Sequence, residues 1–238
     1  MRSCMMTLNT SAGMSRTAAA IFAAALFTAA PALADDIHDG QAWLNVTATG
    51  SLKGKLMGWG EVQARFGNDV SRLSQSIIRP GIGYQVNKDL ILWVGYGRIT
   101  NHNIGPDVGE DRLWQQVSWT AGKLGRATVS TRTRMEQRFV ETGSDTGWRL
   151  RHLFKYDLPL REGGTTNFVI TSETFIALDD TDWGARAGFD QIRNFVGLGF
   201  KVAPKARLEA GYMNQYIDRR GPTDQMNHIA SANLLVRY

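Results

Sequence analysis

The sequence lacks most of the features that usually name a function. It has one cysteine in 238 residues, Cys4, which excludes a disulfide framework and a thiolate metal site. Beyond residue 34 the longest apolar run is Leu90 to Gly97, far short of the roughly 20 residues a membrane-spanning helix needs. The net charge of +5 comes with no contiguous Lys/Arg run, so nucleic-acid binding has no support. Helical periodicity is scarce, and no zinc, phosphate-loop or dinucleotide motif is present. A 10% share of aromatics argues against disorder.

The first 34 residues read as a leader. Arg16 supplies the positive segment, Thr17 to Phe27 an Ala-rich apolar stretch, and Ala32-Leu33-Ala34 a small-x-small cleavage site before Asp35. Export with cleavage after Ala34 follows, and it removes Cys4. Residues 35–52 are then an N-terminal lead or first strand, and 53–238 the main domain.

The main domain alternates with period two almost throughout. From Leu56 to Phe66 one face carries Leu56, Val62, Ala64 and Phe66, the other Trp59, Glu61, Gln63 and Arg65. In 128–138, Ser130, Arg132, Arg134, Glu136 and Arg138 alternate with Val129, Thr131, Thr133 and Met135. Similar segments fit 73–87, 89–99, 112–121, 148–157, 167–177, 189–202, 206–217 and 226–238, with a weaker one at 41–50. Short turns (87–89, 122–125, 203–205) alternate with longer polar connections (100–111, 139–147, 178–188, 218–225). That combination predicts an all-β, antiparallel transmembrane β-barrel of 10 to 12 strands, with short periplasmic turns and longer external loops.

A soluble β-sandwich alternates too. Against it stand Arg, Glu and Gln at mid-strand on many consecutive strands, and Tyr84, Trp119, Tyr156 and Phe200 on the apolar parity beside the short turns, as a membrane-interface girdle requires. The C-terminus also ends Leu234, Val236, Tyr238 on one parity. An apolar alternation closing on an aromatic resembles the signal read by the bacterial barrel-assembly machinery. Eleven segments can be marked, whereas a single-chain bacterial barrel with both termini on one side needs an even number. The expectation is therefore ten strands from residue 53, with 35–50 as a periplasmic or lumen-inserted lead.

Several stretches together resemble the DUF2490 family of uncharacterised proteins: RPGIGYQVNKDLILWVGYG (79–97), EDRLWQQ (110–116), TRTRMEQRF (131–139), FDQIRNFVGLGFKV (189–202) and LEAGYMNQY (208–216). The resemblance implies an outer-membrane barrel and brings no substrate or catalytic residues.

Chemistry is sparse. Barrel lipid hydrolases resemble one another in a His and a Ser two apart on one strand. None of His38, His102, His152 and His228 has that spacing. His102 with Asp107 or Asp111 is the one protease-like pairing, and a plain loop histidine is the simpler reading. Asp179, Asp180 and Asp182 lack the spacing of a calcium loop. Gly81, Gly83, Gly95, Gly97, Gly197 and Gly199 recur at period two, which makes room in a lumen rather than a phosphate cradle. No catalytic residue, metal or cofactor is assigned, and the expectation is a non-enzymatic protein of the outer membrane.

The inward face is the informative one. Its polar parity carries twelve bases against six acids. Arg132, Arg134, Arg138, Arg149, Arg151 and Lys155 form a basic cluster, with Glu136 and Glu173 as its acidic partners. Arg132, Arg134, Arg149 and Arg151 are expected to make one connected surface facing water or an anion. Two readings stand: a lumen filled by Arg/Glu ladders with a structural or envelope role, and a small anion-preferring pore for acidic solutes or oligosaccharides. A lipid-modifying enzyme is a third. The expected partners are outer-membrane lipid and lipopolysaccharide, the assembly machinery, and an anionic solute.

Overall fold

The alternation translates into eleven strands. The computed structural model describes residues 37–219, 221 and 223–238; the leader and its cleavage site after Ala34 lie outside the described residues. In chain order the strands are β1 (Ile37–Lys53), β2 (Leu56–Gly67), β3 (Arg72–Gln85), β4 (Leu90–Asn101), β5 (Val108–Leu124), β6 (Ala127–Val140), β7 (Thr146–Pro159), β8 (Thr166–Ala177), β9 (Gly188–Ala203), β10 (Ala206–Ile217) and β11 (Gln225–Arg237). Each pairs antiparallel with its chain neighbours, and β1 closes the sheet by pairing parallel with β11.

The odd count corrects the expected even one, and the segment read as a lead is a wall strand. Residues 37–49 pair with Gln225–Arg237 on one side, and β1 pairs with β2 on the other. Without β1 the edges of β2 and β11 would be left with unpaired backbone groups. Its signal is weak in sequence because the middle of its inward face (Gln41, Trp43, Asn45, Thr47) is uncharged. An odd count also places the two ends of the wall at opposite rims. Ile37 lies beside Gln225 at the rim with the longer connections, while the Tyr238 N–H donates to the Thr49 carbonyl (3.2 Å) at the rim with the short turns.

Outward positions are largely aliphatic, interrupted on β5 to β9 by polar side chains that pair with one another, Gln115 with Gln137, Thr133 with His152 and Ser172 with Asn194. Val46, Val62, Ile78, Val94, Leu113 and Val196 are all more than two-fifths exposed. Exposed aromatics flank this band: Tyr84, Trp119, Phe200 and Tyr238 toward the short turns, and Phe139, Trp148 and Phe189 toward the longer loops. Inward positions are buried and mostly polar, so the core of this fold is its lumen. One connection is strained. Asn68, Asp69 and Val70 between β2 and β3 all have φ between 53° and 63°, and Asp39 holds them by accepting from the Asp69 N–H (2.9 Å) and the Asn68 N–H (3.3 Å).

Candidate functional site in the lumen

Period two sends Glu110 and Arg112 of β5, Arg132 to Arg138 of β6, Arg149 to Lys155 of β7 and Glu173 of β8 into one interior. Register decides who meets whom. Glu136 stands opposite Arg149 and accepts from Arg149 Nη2 (2.7 Å) and Arg151 Nη1 (2.7 Å), while Arg112 and Arg134 lie 3.8 Å away. Glu136 is fully buried. Glu173 accepts from Arg151 Nη2 (2.8 Å) and Arg132 Nη2 (2.7 Å). Glu110 accepts from Arg112 Nε (2.6 Å) and Arg138 Nε (2.5 Å). Lower in the barrel Lys155 donates to Glu209 (2.6 Å), and Arg207 pairs with Asp157 (2.7 Å). Glu110, Glu136, Glu173 and Glu209 thus each serve two or more cations, the arrangement that makes buried charge tolerable. The sequence pattern places Glu110 in the 100–111 connection; the structure makes it an inward residue of β5.

Arg134 departs from its expected place on a water-facing surface. It stands opposite Arg151, and like charges directly opposed repel. Its guanidinium turns away, donates through Nε to Gln116 (2.8 Å), and lies over the Trp114 ring at 4.5 Å and the Trp59 ring at 5.7 Å. It is 1% exposed, and Nη1 and Nη2 have no hydrogen-bond partner, so the Glu136 charge at 3.8 Å and the indole faces together stabilise it. Trp59 meets Trp93 and Trp114 edge-on. Gly81 and Gly95 make the room for Trp114, since a Cβ at either position would collide with the ring.

The rest of the lumen is open. A cavity of about 680 Å³ runs along it, lined from Gln41 and Arg219 near the loop rim to Lys155 and Leu235 toward the turn rim; Arg132, Arg138, Arg149 and Arg151 border it and Arg134 does not. On the β1–β2 and β9–β11 side the lining is mainly amide: Gln41, Asn45, Gln63, Gln191, Gln215, Asn227. Two guanidiniums project here, over the Trp43 ring at 3.8 Å (Arg65) and 4.9 Å (Arg193). Arg65 donates to Gln63 and Gln75 (2.7 Å each), and Arg193 to Gln191 (3.0 Å). Neither has an ion-pair partner among the described residues.

At the loop rim, connection 178–187 folds over the connection between β6 and β7. Asp182 accepts from the Ser144 N–H (2.7 Å), the Ser144 hydroxyl (2.9 Å) and the Asp145 N–H (3.2 Å), and the Ser144 N–H in particular holds its carboxyl below the ordinary value of 3.8. The neighbouring Trp183 ring lies over Arg138 at 4.8 Å. Asp179 and Asp180 accept from the backbone N–H groups of Trp148 and Ala187, so the acidic run is spent on loop structure. His102 meets Asp107 (2.8 Å), whereas Asp111 is taken by Tyr96 and Arg98.

The sequence pattern of a described family covers residues 40–227. The chain belongs to the DUF2490 family. That family is described as a protein of unknown function. An uncharacterised protein of Methylorubrum extorquens is 42% identical to this DUF2490 chain over 213 residues, covering 89% of it and 93% of the relative. Among solved structures, the NanC porin aligns with 78% of this chain and 90% of its own at a TM-score of 0.46 and 10% identity. A loop-L8 deletion mutant of OmpT, an outer membrane protein of Vibrio cholerae, aligns with 67% at a TM-score of 0.38 and 15% identity, and this chain spans 56% of its length.

Proposed function

We propose that this DUF2490 protein resides in a bacterial outer membrane and that the open side of its lumen passes small anions. The membrane placement is supported by the closed wall, which leaves no strand edge, and by the aliphatic band between two aromatic belts. In this reading Leu234, Val236 and Tyr238 are the segment handed to the barrel-assembly machinery, and the loop rim meets lipopolysaccharide. The lumen's role is non-catalytic: His38, His152 and His228 sit on outward strand positions and His102 follows β4 at the rim.

One observation carries the anion reading. Arg65 and Arg193 face a cavity of about 680 Å³ and donate only to amides; Trp43 lies under both and Phe175 under Arg193 as well, while Glu173, opposite Arg193, is already bonded to Arg132 and Arg151. Unpaired cations at low dielectric are costly, so water and a mobile anion compensate them. The filled-lumen reading keeps the Arg/Glu/Trp side as its own support, and a plugged barrel is the outcome that favours it. Planar-bilayer recording of the refolded protein in a salt gradient tests the proposal. Wild type conducts with anion preference, and the double variant Arg65→Gln, Arg193→Gln loses that preference. Absent conductance or cation selectivity in the wild type refutes it.

A further inference from the structure

Outside the lumen, the loop rim of β3–β5 assembles a constellation that the lumenal function does not use. His102 Nδ1 lies 2.8 Å from Asp107 Oδ2, and its Nε2 lies 3.0 Å from Ser76 Oγ. With the proton on Nδ1 donated to the carboxylate, Nε2 is left as the acceptor of the Ser76 hydroxyl. That is the geometry of a nucleophile, a general base and an orienting acid, which is recognised by its roles and not by the order of its members in the chain. Three segments supply it: Ser76 from β3, His102 from the end of β4, Asp107 from the residue before β5. The imidazole is anchored, since the His102 N–H donates to the Ser74 carbonyl (2.9 Å) and Arg72 Nη1 donates to the His102 carbonyl (2.6 Å).

Ser76 is on the outward parity of β3, between Ala64 of β2 and Thr100 of β4. Two residues further toward the turn rim on that face is Ile78, 60% exposed, paired with Val62, 55% exposed. The hydroxyl therefore opens onto the apolar outer surface and not onto the lumen.

We propose that Ser76, His102 and Asp107 form a serine-esterase site on the outer wall, acting on long-chain acyl esters of lipid at the loop rim. Ser76 Oγ attacks the ester carbonyl while His102 Nε2 takes its proton. The tetrahedral intermediate expels the alcohol, which receives that proton from His102, and leaves an acyl ester on Ser76. Water, deprotonated by His102, then releases the fatty acid and restores the serine. Ester and water become acid and alcohol, with no other reactant. Ser76 and His102 are the catalytic residues; Asp107 positions the imidazole. Thr100, opposite Ser76 on the same face, is the side chain placed to donate to the oxyanion. The acyl chain rests along Ile78 and Val62. The lipid identity rests on the membrane location proposed above; the triad does not.

The test uses the refolded full barrel in detergent, treated with a fluorophosphonate and mapped by peptide mass, and then in vesicles of phosphatidylethanolamine or with lipopolysaccharide, followed by fatty-acid release. Ser76 should carry the phosphonate, and one of the two lipids should release acid. Which one does identifies the ester as a phospholipid's or that of lipid A. Ser76→Ala and His102→Gln should each lower release at least about 100-fold, and Asp107→Asn should lower it less while slowing labelling of Ser76. All three keep the unboiled gel mobility of the folded barrel, since they sit at the rim. No label on Ser76, or release unchanged in Ser76→Ala, overturns the site. Label on Ser76 with hydrolysis of short soluble esters alone overturns the lipid substrate, and the triad stands.

Discussion

Replacing Glu136 by Gln should remove more stability than any other single charge change in the lumen. The side chain is fully buried and touches Arg149 and Arg151 at 2.7 Å each, with Arg112 and Arg134 at 3.8 Å. Glutamine keeps the volume but withdraws the charge and turns one acceptor into a donor facing guanidinium donors. Breaking a buried ion pair from one side costs about 3–5 kcal/mol. The lower part of that range applies, because Arg151 retains Glu173, Arg149 retains Asp190 and Arg112 retains Glu110. Only Arg134 is left without a carboxylate. Glu209→Gln is the internal comparison: its partners Lys155 and Arg207 are 22% and 28% exposed, water shares the load, and the loss should be about 1 kcal/mol. Urea unfolding from lipid vesicles, followed by tryptophan emission, measures both. If Glu136→Gln loses no more than Glu209→Gln, the lattice around Glu136 is not what holds this side of the barrel together.

Deleting Tyr238 should lower the yield of folded barrel, read as the gel-shifted fraction without boiling, because its N–H bonds the Thr49 carbonyl, its ring packs over Gly50 of β1 and its hydroxyl lies over Gly58 of β2; an unchanged yield removes its role. Val70→Gly should raise stability by about 1 kcal/mol, since a β-branched residue at φ 63° is held against its preference; a loss on urea unfolding would refute the strain. The Asp182 carboxyl is lowered by its bonds to Ser144, so the latch is intact above the ordinary carboxyl value of 3.8 and is lost as pH falls through the lower folded value. Pepsin cutting within 178–187 should accelerate only on that acid side, and Asp182→Asn should open the same loop to proteases at neutral pH.

Parity was legible in the sequence because side-chain direction in a strand has period two regardless of partner. The ten wall segments from β2 to β11, their largely apolar outward face and the inward parity of Arg132, Arg138, Arg149 and Arg151 follow from it. Register was not legible, and every departure traces to it. Arg134 reads like its neighbours along β6, yet facing Arg151 across the ladder turns it onto Trp114. Glu110 looks like loop because a Gly-Pro-Asp stretch precedes it, and β5 extends past that signal to reach Val140 of β6. Searching for His and Ser two apart along one strand misses Ser76 and His102, which meet across β3 and β4. The parallel seam is the extreme case: 37–53 alternates too weakly to be distinguished from a lead, and becomes a strand because β2 and β11 both need it.

The two sides of the lumen are tied together through charge. On the packed side Glu110, Glu136 and Glu173 are each shared between guanidiniums, Glu61 is taken by Arg79, and Glu209 by Lys155 and Arg207, so none of them forms an ion pair with Arg65 or Arg193. On the amide side Gln63, Gln75 and Gln191 occupy positions where a carboxylate would neutralise Arg65 or Arg193. A lumen built only for stability would place a Glu there, because a paired buried cation is far cheaper than an unpaired one. Gln191→Glu makes that replacement. Under the anion-passage reading it gives a barrel that is at least as stable as wild type and has lost its anion preference. Under the filled-lumen reading it changes stability alone, because there is no current to alter.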